Sequence, residues 1–328
     1  MKAALLHTPK SPLQIEEVED PRPKEDQVLL RIHTCGVCRT DLHIFLGELI
    51  PPAYPIIPGH QVVGEVIECG SQANRFRVGE RIGVPWLGST CGVCRFCKAG
   101  KENLCDHAQF TGFDLPGGFA EKMVAREAYA FPLPEKYDDL HASPLLCAGL
   151  IGFRAYKAIR HCRKIGFWGF GAAAHLLLQL AVYEGKEVYV FTKEGDETKQ
   201  ELARNMGAVW AGSSNDLPPK MLEGSILFAP VGLLVPRSLK ALEKGGIVVS
   251  AGIYMTDIPA FPYSLLWQER TLTSVANLTR DDGEEYFALA RELHIVAKTT
   301  PYPLTKVNDA LYDLEGGKFS GSAVLINT

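Results

Sequence analysis

The chain has 328 residues, 34 Lys+Arg against 38 Asp+Glu for a formal net charge of −4, and 46% hydrophobic with 22% charged residues. This composition belongs to ordinary globular proteins and excludes disordered and fibrous classes; at about 150 residues per domain the length implies about two domains. A slightly acidic chain offers no basic footprint for nucleic acid, whose binding draws on Lys and Arg against phosphates.

Along the first third, short strands alternate with Pro- and Gly-rich turns. Gln27–Ile32, Gln61–Glu68 and Arg81–Val84 read as strands, punctuated by Pro51-Pro52, Pro58-Gly59 and Pro116-Gly117-Gly118, which predicts an all-β unit. Near residue 145 the pattern changes. Pro144–Lys157 reads as a helix and Lys164–Trp168 as a strand. A glycine turn and a helix over Ala172–Tyr183 follow, then a strand Glu187–Phe191 and a helix Asp196–Met206. Next come a strand Ser225–Phe228, a helix Val235–Glu243 and a strand Ile247–Ala251. Alternating strand and helix predicts an α/β unit with a doubly wound parallel sheet. A helix around Glu284–Glu292 and a last strand Ala323–Ile326 close the chain. No apolar run reaches the roughly 18–20 residues that span a bilayer, and Met1–Pro12 lacks the apolar core of a signal peptide. A cytoplasmic protein with no membrane partner is the expectation.

Nine cysteines then need an explanation. An odd number in a reducing compartment points to metal ligation or catalysis rather than disulfides. Cys91, Cys94, Cys97 and Cys105 read C-x2-C-x2-C-x7-C within a polar, loop-like stretch. Four thiolates so spaced close a tetrahedron around zinc with no vacant position, a structural site; the spacing alone also admits an iron–sulfur cluster. The nearby Arg95, Lys98 and Lys101 are expected to help hold the thiolates deprotonated. A second set is scattered: Cys38, His60 and Cys147 offer two thiolates and one imidazole with an open fourth position, the form of a catalytic zinc site. Spacing alone does not separate that assembly from a buried thiol and a turn histidine.

The quartet, the segment Cys38-Arg39-Thr40-Asp41-Leu42-His43, the Pro58-Gly59-His60 turn and the later Cys147 occur in one order. In that order they resemble the zinc-dependent alcohol dehydrogenases of the medium-chain dehydrogenase/reductase superfamily, over essentially the whole chain. Leu227–Pro230, Ile253–Pro259 and Ser274–Arg280 resemble the cinnamyl-alcohol-dehydrogenase-like branch. The resemblance implies a GroES-like β-rich catalytic domain, residues 1–148 and 278–328, with a Rossmann dinucleotide-binding domain, residues 149–277, inserted in it. It implies two zinc ions per chain, with Cys38, His60 and Cys147 on the catalytic one and Cys91, Cys94, Cys97 and Cys105 on the structural one. It makes Asp41 the carboxylate behind the ligand histidine and Thr40 the hydroxyl on the substrate oxygen. His43 becomes the outer end of a proton relay, a place suited to a group with an ordinary pKa near 6.5. Trp86 and Leu87 match substrate-pocket positions and Arg39 a phosphate-contacting one. Gln61 departs from the usual Glu after the ligand histidine, leaving the site one charge more positive and the metal a stronger Lewis acid.

Gly169-Phe170-Gly171-Ala172-Ala173-Ala174 resembles the dinucleotide fingerprint with Ala174 in the third glycine's place,. The next strand ends in Thr192-Lys193, with no acid at its tip to bind ribose hydroxyls. A hydroxyl and a cation there favour a 2′-phosphate, so NADP(H) is expected over NAD(H). Ser320-Gly321-Ser322 stands where the family often has a pyrophosphate-binding Arg. The expected activity is interconversion of primary alcohols, aromatic and allylic ones included, with aldehydes, by a homodimer or homotetramer acting on a small molecule. Two alternatives stay open: a zinc-independent quinone or enal reductase of the same superfamily, and a non-catalytic dinucleotide- or metal-binding protein. Cys35, Cys69 and Cys162 read as packing thiols.

Overall fold

The computed structural model describes residues 1–319 and 321–327, so Ser320, part of the C-terminal stretch discussed above, lies outside the described residues. The chain divides into two compact units, residues 1–147 with 278–328 and residues 148–277.

The first unit is built on a seven-stranded sheet whose main path runs Thr299–Pro303, Ser322–Ile326, Gln27–Val37, Val62–Cys69, Arg81–Val84 and Phe131–Pro132. Lys122–Arg126 pairs with Gln27–Val37 off that path. Only the pair Thr299–Pro303 and Ser322–Ile326 is parallel. Val28, Leu30 and Ile32 enter the core on one side while Arg31 stays outside, the alternation a half-covered strand requires,. The helix Arg39–Phe45 interrupts the expected all-β pattern. Its start is a capping box in which the Cys38 thiol replaces the usual hydroxyl and Asp41 returns to the Cys38 N–H,. That helix packs on Val307–Glu315, with the rings of Phe45 and Tyr312 edge to face.

The second unit is a six-stranded, wholly parallel sheet in the order Trp210–Ser213, Glu187–Thr192, Lys164–Trp168, Leu222–Leu227, Leu242–Ser250, Thr271–Ser274. Numbered by chain position this is the order 3-2-1-4-5-6 of doubly wound dinucleotide folds,. The strand order reverses beside Lys164–Trp168, and in folds of this kind ligands bind at the carboxyl ends of the strands at that reversal. Trp168 and Phe191, paired in register, stack at 3.7 Å on one face of this sheet.

Two expected helices come out differently. Residues 144–157 are not one helix: a 3-10 turn over Ser143–Leu146 stops at Cys147, whose φ of −130° and ψ of −70° break the path before the helix Ala148–Ile159. The helix expected over 235–243 is Leu234–Lys240, because Leu242 already pairs with Leu222 in the sheet. The strand Trp210–Ser213 and the edge strand Thr271–Ser274 had no clear signal in the sequence.

Candidate active site

Three distant segments bring Cys38, His60 and Cys147 together. Their ligand atoms all lie within 4.8 Å of one another. Cys38 Sγ is 3.2 Å from His60 Nε2 and 4.0 Å from Cys147 Sγ. The Gln61 carbonyl joins the segments: it accepts the Gly36 N–H at 3.0 Å and the Ser143 hydroxyl at 2.5 Å. Gly59, at φ +98°, makes the turn before His60, and a Cβ there would stand 2.5 Å from the Phe119 ring, so only glycine fits. Sequence reasoning singled out Gln61 for its side chain. The structure buries that side chain, with its amide oxygen against Gly36, and gives the backbone carbonyl the joining role.

Asp41 stands behind the imidazole. One carboxylate oxygen lies 3.3 Å from His60 Nδ1, close but not aligned for a full hydrogen bond. The same oxygen accepts the Gly59 N–H, and the other accepts the Cys38 N–H. Burial alone would push the His60 imidazolium down. The Cys38 thiolate and the Asp41 carboxylate outweigh it and lift His60 to about 10. Cys38 is held well below the ordinary thiol value, first by its partner Cys147, then by His60 and the Thr40 N–H, while burial opposes. This buried pocket favours positive charge. A divalent zinc fits it: two soft thiolates, one imidazole nitrogen and a carboxylate behind the imidazole are zinc's donor set.

Around this centre, Trp86 sits edge-on to His60 at 4.8 Å, stacked on Phe110 at 5.2 Å and tilted against Phe113 at 5.9 Å. Leu87 turns into the core of the short strand Leu87–Ser89, opposite Phe110. Thr40 is half-buried and its N–H donates to Cys38 Sγ at 3.3 Å. His43 is buried, with Nδ1 against a carboxylate oxygen of Glu48. Sequence reasoning missed Glu48; its signal is an acid five residues after His43, just past the Gly47 turn. It also missed Phe110 and Phe113, which follow the quartet as an aromatic pair. Arg39 is exposed at the start of its helix.

The quartet forms a second cluster, again with ligand atoms within 4.8 Å. Cys91 Sγ lies 3.5 Å from Cys105 Sγ and 4.0 Å from Cys97 Sγ, with Cys94 and Cys97 3.6 Å apart. These are not disulfide distances, and all four thiols are free,. Their charge is satisfied differently than expected. Backbone N–H groups of Val93 and Cys94, not the neighbouring cations, lead in drawing Cys91 down to about 6. The N–H groups of Cys97 and His107 point at Cys94 and Cys105 in the same way. The loop is clamped at both ends. Tyr129 Oη bonds Thr90, just before Cys91, and the Glu102 carboxylate takes the Arg280 guanidinium and backbone N–H. Cys35, Cys69 and Cys162 join neither cluster.

In the second unit, Gly169 has φ +94°, and a Cβ there would stand 2.8 Å from Ala229. Gly171 caps the helix Ala172–Tyr183 with no side-chain bond, and a Cβ on it would meet nothing within 4 Å. The first helical turn, Ala172 and Ala173 among its residues, starts beside that open space, and the N–H groups of a first turn have no partner within the helix. A pyrophosphate fits such a cradle. Ala174, in the third glycine's place, is fully buried. Thr192 is buried too: its hydroxyl donates to the Lys193 and Gly212 carbonyls and accepts from Gln200. Lys193 is exposed. Glu194 accepts the Asn215 amide at 2.8 Å.

The family profile for the alcohol dehydrogenase GroES-like domain matches residues 24–135. A Mycobacterium tuberculosis protein described as "Probable alcohol dehydrogenase AdhA" is 44% identical over 323 residues, spanning 96% of this chain and 93% of that protein. An alcohol dehydrogenase of Geobacillus stearothermophilus is 34% identical, spanning 99% of this chain and 98% of that protein. A solved cinnamyl alcohol dehydrogenase from Sorghum bicolor superposes with a TM-score of 0.90 at 24% identity, over 99% of this chain and 97% of that one.

Proposed function

The chain belongs to the alcohol dehydrogenases and is a nicotinamide-dependent alcohol–aldehyde oxidoreductase, and from that premise we propose the roles of its residues, its preferred coenzyme and its substrate class. Cys38, His60 and Cys147 would hold a catalytic zinc and Cys91, Cys94, Cys97 and Cys105 a structural one. The observation that carries this reading is the convergence of Cys38 and Cys147 on the buried His60, with the buried Asp41 behind it. When bound, zinc supplies Lewis-acid polarisation of the alcohol oxygen, and the nicotinamide supplies the hydride acceptor.

The chain's own residues do the rest. Asp41 faces His60 Nδ1, which keeps the proton there and leaves Nε2 for the metal. Thr40 takes the alcohol proton into a relay ending at His43. Glu48, whose carboxylate meets His43 Nδ1, would hold the ring in place at the end of that relay. Net, the alcohol gives up one proton and one hydride and leaves as aldehyde. Trp86, backed by Phe110 and Phe113, screens His60 from water and gives the pocket a flat apolar wall. That wall suits aromatic and allylic alcohols, and Leu87 supports it from the core.

Gly169, Gly171, Ala172 and Ala173 would seat the pyrophosphate, with Arg39 as a further cation. NADP(H) is the proposed coenzyme. Lys193 is an exposed cation at the tip of the second strand, and the neighbouring acid Glu194 is engaged by Asn215. Thr192, whose hydroxyl is used inside the unit, would act by placing Lys193 rather than by touching phosphate. Thr271–Ser274 ends the sheet as an edge strand, with Tyr263 and Trp267 exposed nearby; a second copy of the chain would cover it, as a homodimer or within a homotetramer. The nine thiols, all unpaired, suit a reducing cytoplasm. Zinc analysis tests the metal reading: about two per chain supports it, about one leaves only the structural site. Comparing kcat/KM with NADPH and NADH tests the coenzyme, and a clear NADH preference would overturn that choice.

A further inference from the structure

Cys147 is held in place from outside its own segment. The helix Asp139–Ala142 is four residues long and runs straight into the 3-10 turn that stops at Cys147. A helix so short is not stable by itself. The Cys147 N–H makes only a long bond, 3.5 Å, to the Pro144 carbonyl. Contacts with the sheet must therefore place the segment 139–147.

Two fastenings do so. Ser143 is tied to the Gln61 carbonyl, beside His60. The other is Asp139. Its Oδ2 lies 2.9 Å from His33 Nδ1, and its Oδ1 accepts from Arg81 Nη1 at 2.8 Å. Its backbone carbonyl accepts the Thr34 hydroxyl at 3.0 Å. Arg81 also donates to the Pro134 carbonyl at 2.9 Å, which steadies the chain on its way into the helix. His33 and Thr34 belong to the strand Gln27–Val37 and Arg81 to the strand Arg81–Val84. With its two oxygens engaged from two strands, the carboxylate has a fixed orientation.

The choice of partners gives these contacts a direction. The strand that carries His33 and Thr34 ends at Val37, and Cys38 follows it. The segment bearing Cys147 is thus tied at Ser143 to the residue after His60, and at Asp139 to the strand that leads into Cys38. Each fastening joins two ligand-bearing segments. Asp139 is 30% exposed and His33 32%, and ion pairs so open to water contribute little to overall stability. Stability alone does not account for the convergence of His33, Thr34 and Arg81 on one residue; placement of Cys147 does.

We propose that Asp139 is a positioning residue for the catalytic site: it fixes the segment 139–147 against the strand leading to Cys38 and so sets the spacing of Cys38 and Cys147 at which the metal is held. Asp139 is not itself a ligand. The inference rests on the reading of Cys38, His60 and Cys147 as zinc ligands given above.

The test titrates zinc out of the holoenzyme with a chromogenic chelator, which gives an affinity for each of the two sites. The site missing from Cys147→Ser is the catalytic one. Asp139→Ala should weaken zinc at that site about tenfold, the low end of what groups behind metal ligands contribute, and leave the quartet's affinity unchanged. Asp139→Glu, which keeps the carboxylate, should recover part of the loss. His33→Gln leaves the Arg81 and Thr34 contacts in place and covers the case in which Asp139→Ala folds poorly; it should weaken the same site by a smaller factor. A lower Tm with both affinities unchanged, or equal weakening at the two sites, would overturn the proposal. A parent protein that holds only about one zinc per chain would instead overturn the catalytic-zinc reading, and this inference with it.

Discussion

The two cysteine clusters solve the same problem by different means. The quartet gathers its ligands within fifteen residues and steadies their charge with backbone N–H groups. The Cys38, His60 and Cys147 cluster draws ligands from positions up to 109 residues apart and steadies them with a buried carboxylate and a shared carbonyl. The first is a loop that a metal can close almost unaided; the second exists only once the sheet has formed. The first should therefore matter to stability and the second to chemistry. Removing one ligand from each breaks the comparison most directly. Cys147→Ser is expected to lower kcat by about a thousandfold or more, the rate equivalent of several kcal/mol of lost Lewis-acid stabilisation. Its zinc content should fall to about one per chain with little change in Tm. Cys97→Ser should reach the same zinc content but lose several kcal/mol of stability, while the folded fraction keeps its kcat. Metal analysis, melting curves and single-turnover rates on both variants decide the matter. Equal losses of Tm would erase the distinction.

The clamp on the quartet gives a smaller effect with a defined pH sign. Glu102 is buried, and burial would raise its carboxyl, but the bonds from Arg280 outweigh that and lower it below 4.5. A carboxyl depressed in the folded state contributes stability that is complete above its unfolded pKa and is lost as pH falls through the folded value. Because Arg280 is 44% exposed, screening reduces what the pair contributes, to about 1–2 kcal/mol. Glu102→Gln should therefore lower Tm at pH 7, and the gap to the parent should close as pH drops below about 4.5. Denaturation followed across that window checks it; a constant gap would mean the clamp acts by packing alone.

How much of this was legible follows from the same contrast. The quartet could be read from spacing because all its geometry is local. The parallel strands around Lys164–Trp168 were legible because strands covered on both faces are continuously apolar. Trp210–Ser213 and Thr271–Ser274 were not: each lies at an edge of the sheet, four residues long and largely exposed or small, with neither alternation nor an apolar run to mark it. Cys147 was assigned to the interior of a helix because Pro144–Lys157 is apolar at helical spacing. The break there follows from the tertiary contact of Ser143 with the Gln61 carbonyl, which periodicity does not contain. Gln61 shows the same limit, since its identity drew attention to a side chain while its backbone oxygen does the joining.

Glu48 offers the finest test of whether the scattered site is organised beyond its ligands. Its carboxylate meets His43 Nδ1, not a ligand of the scattered cluster. If it serves the relay, Glu48→Gln should slow alcohol oxidation by a few-fold to about tenfold, below the hundredfold or more that general acid–base groups commonly supply. Glu48→Asp should recover part of the loss. The decisive comparison is with His43→Gln: in that background Glu48→Gln should have little further effect, because the carboxylate acts through the imidazole. Additive losses in the double variant would show that Glu48 merely braces the turn after Gly47. Zinc content and Tm should stay unchanged in all of these variants, which separates a fault in proton transfer from a fault in the metal site that Cys147→Ser creates.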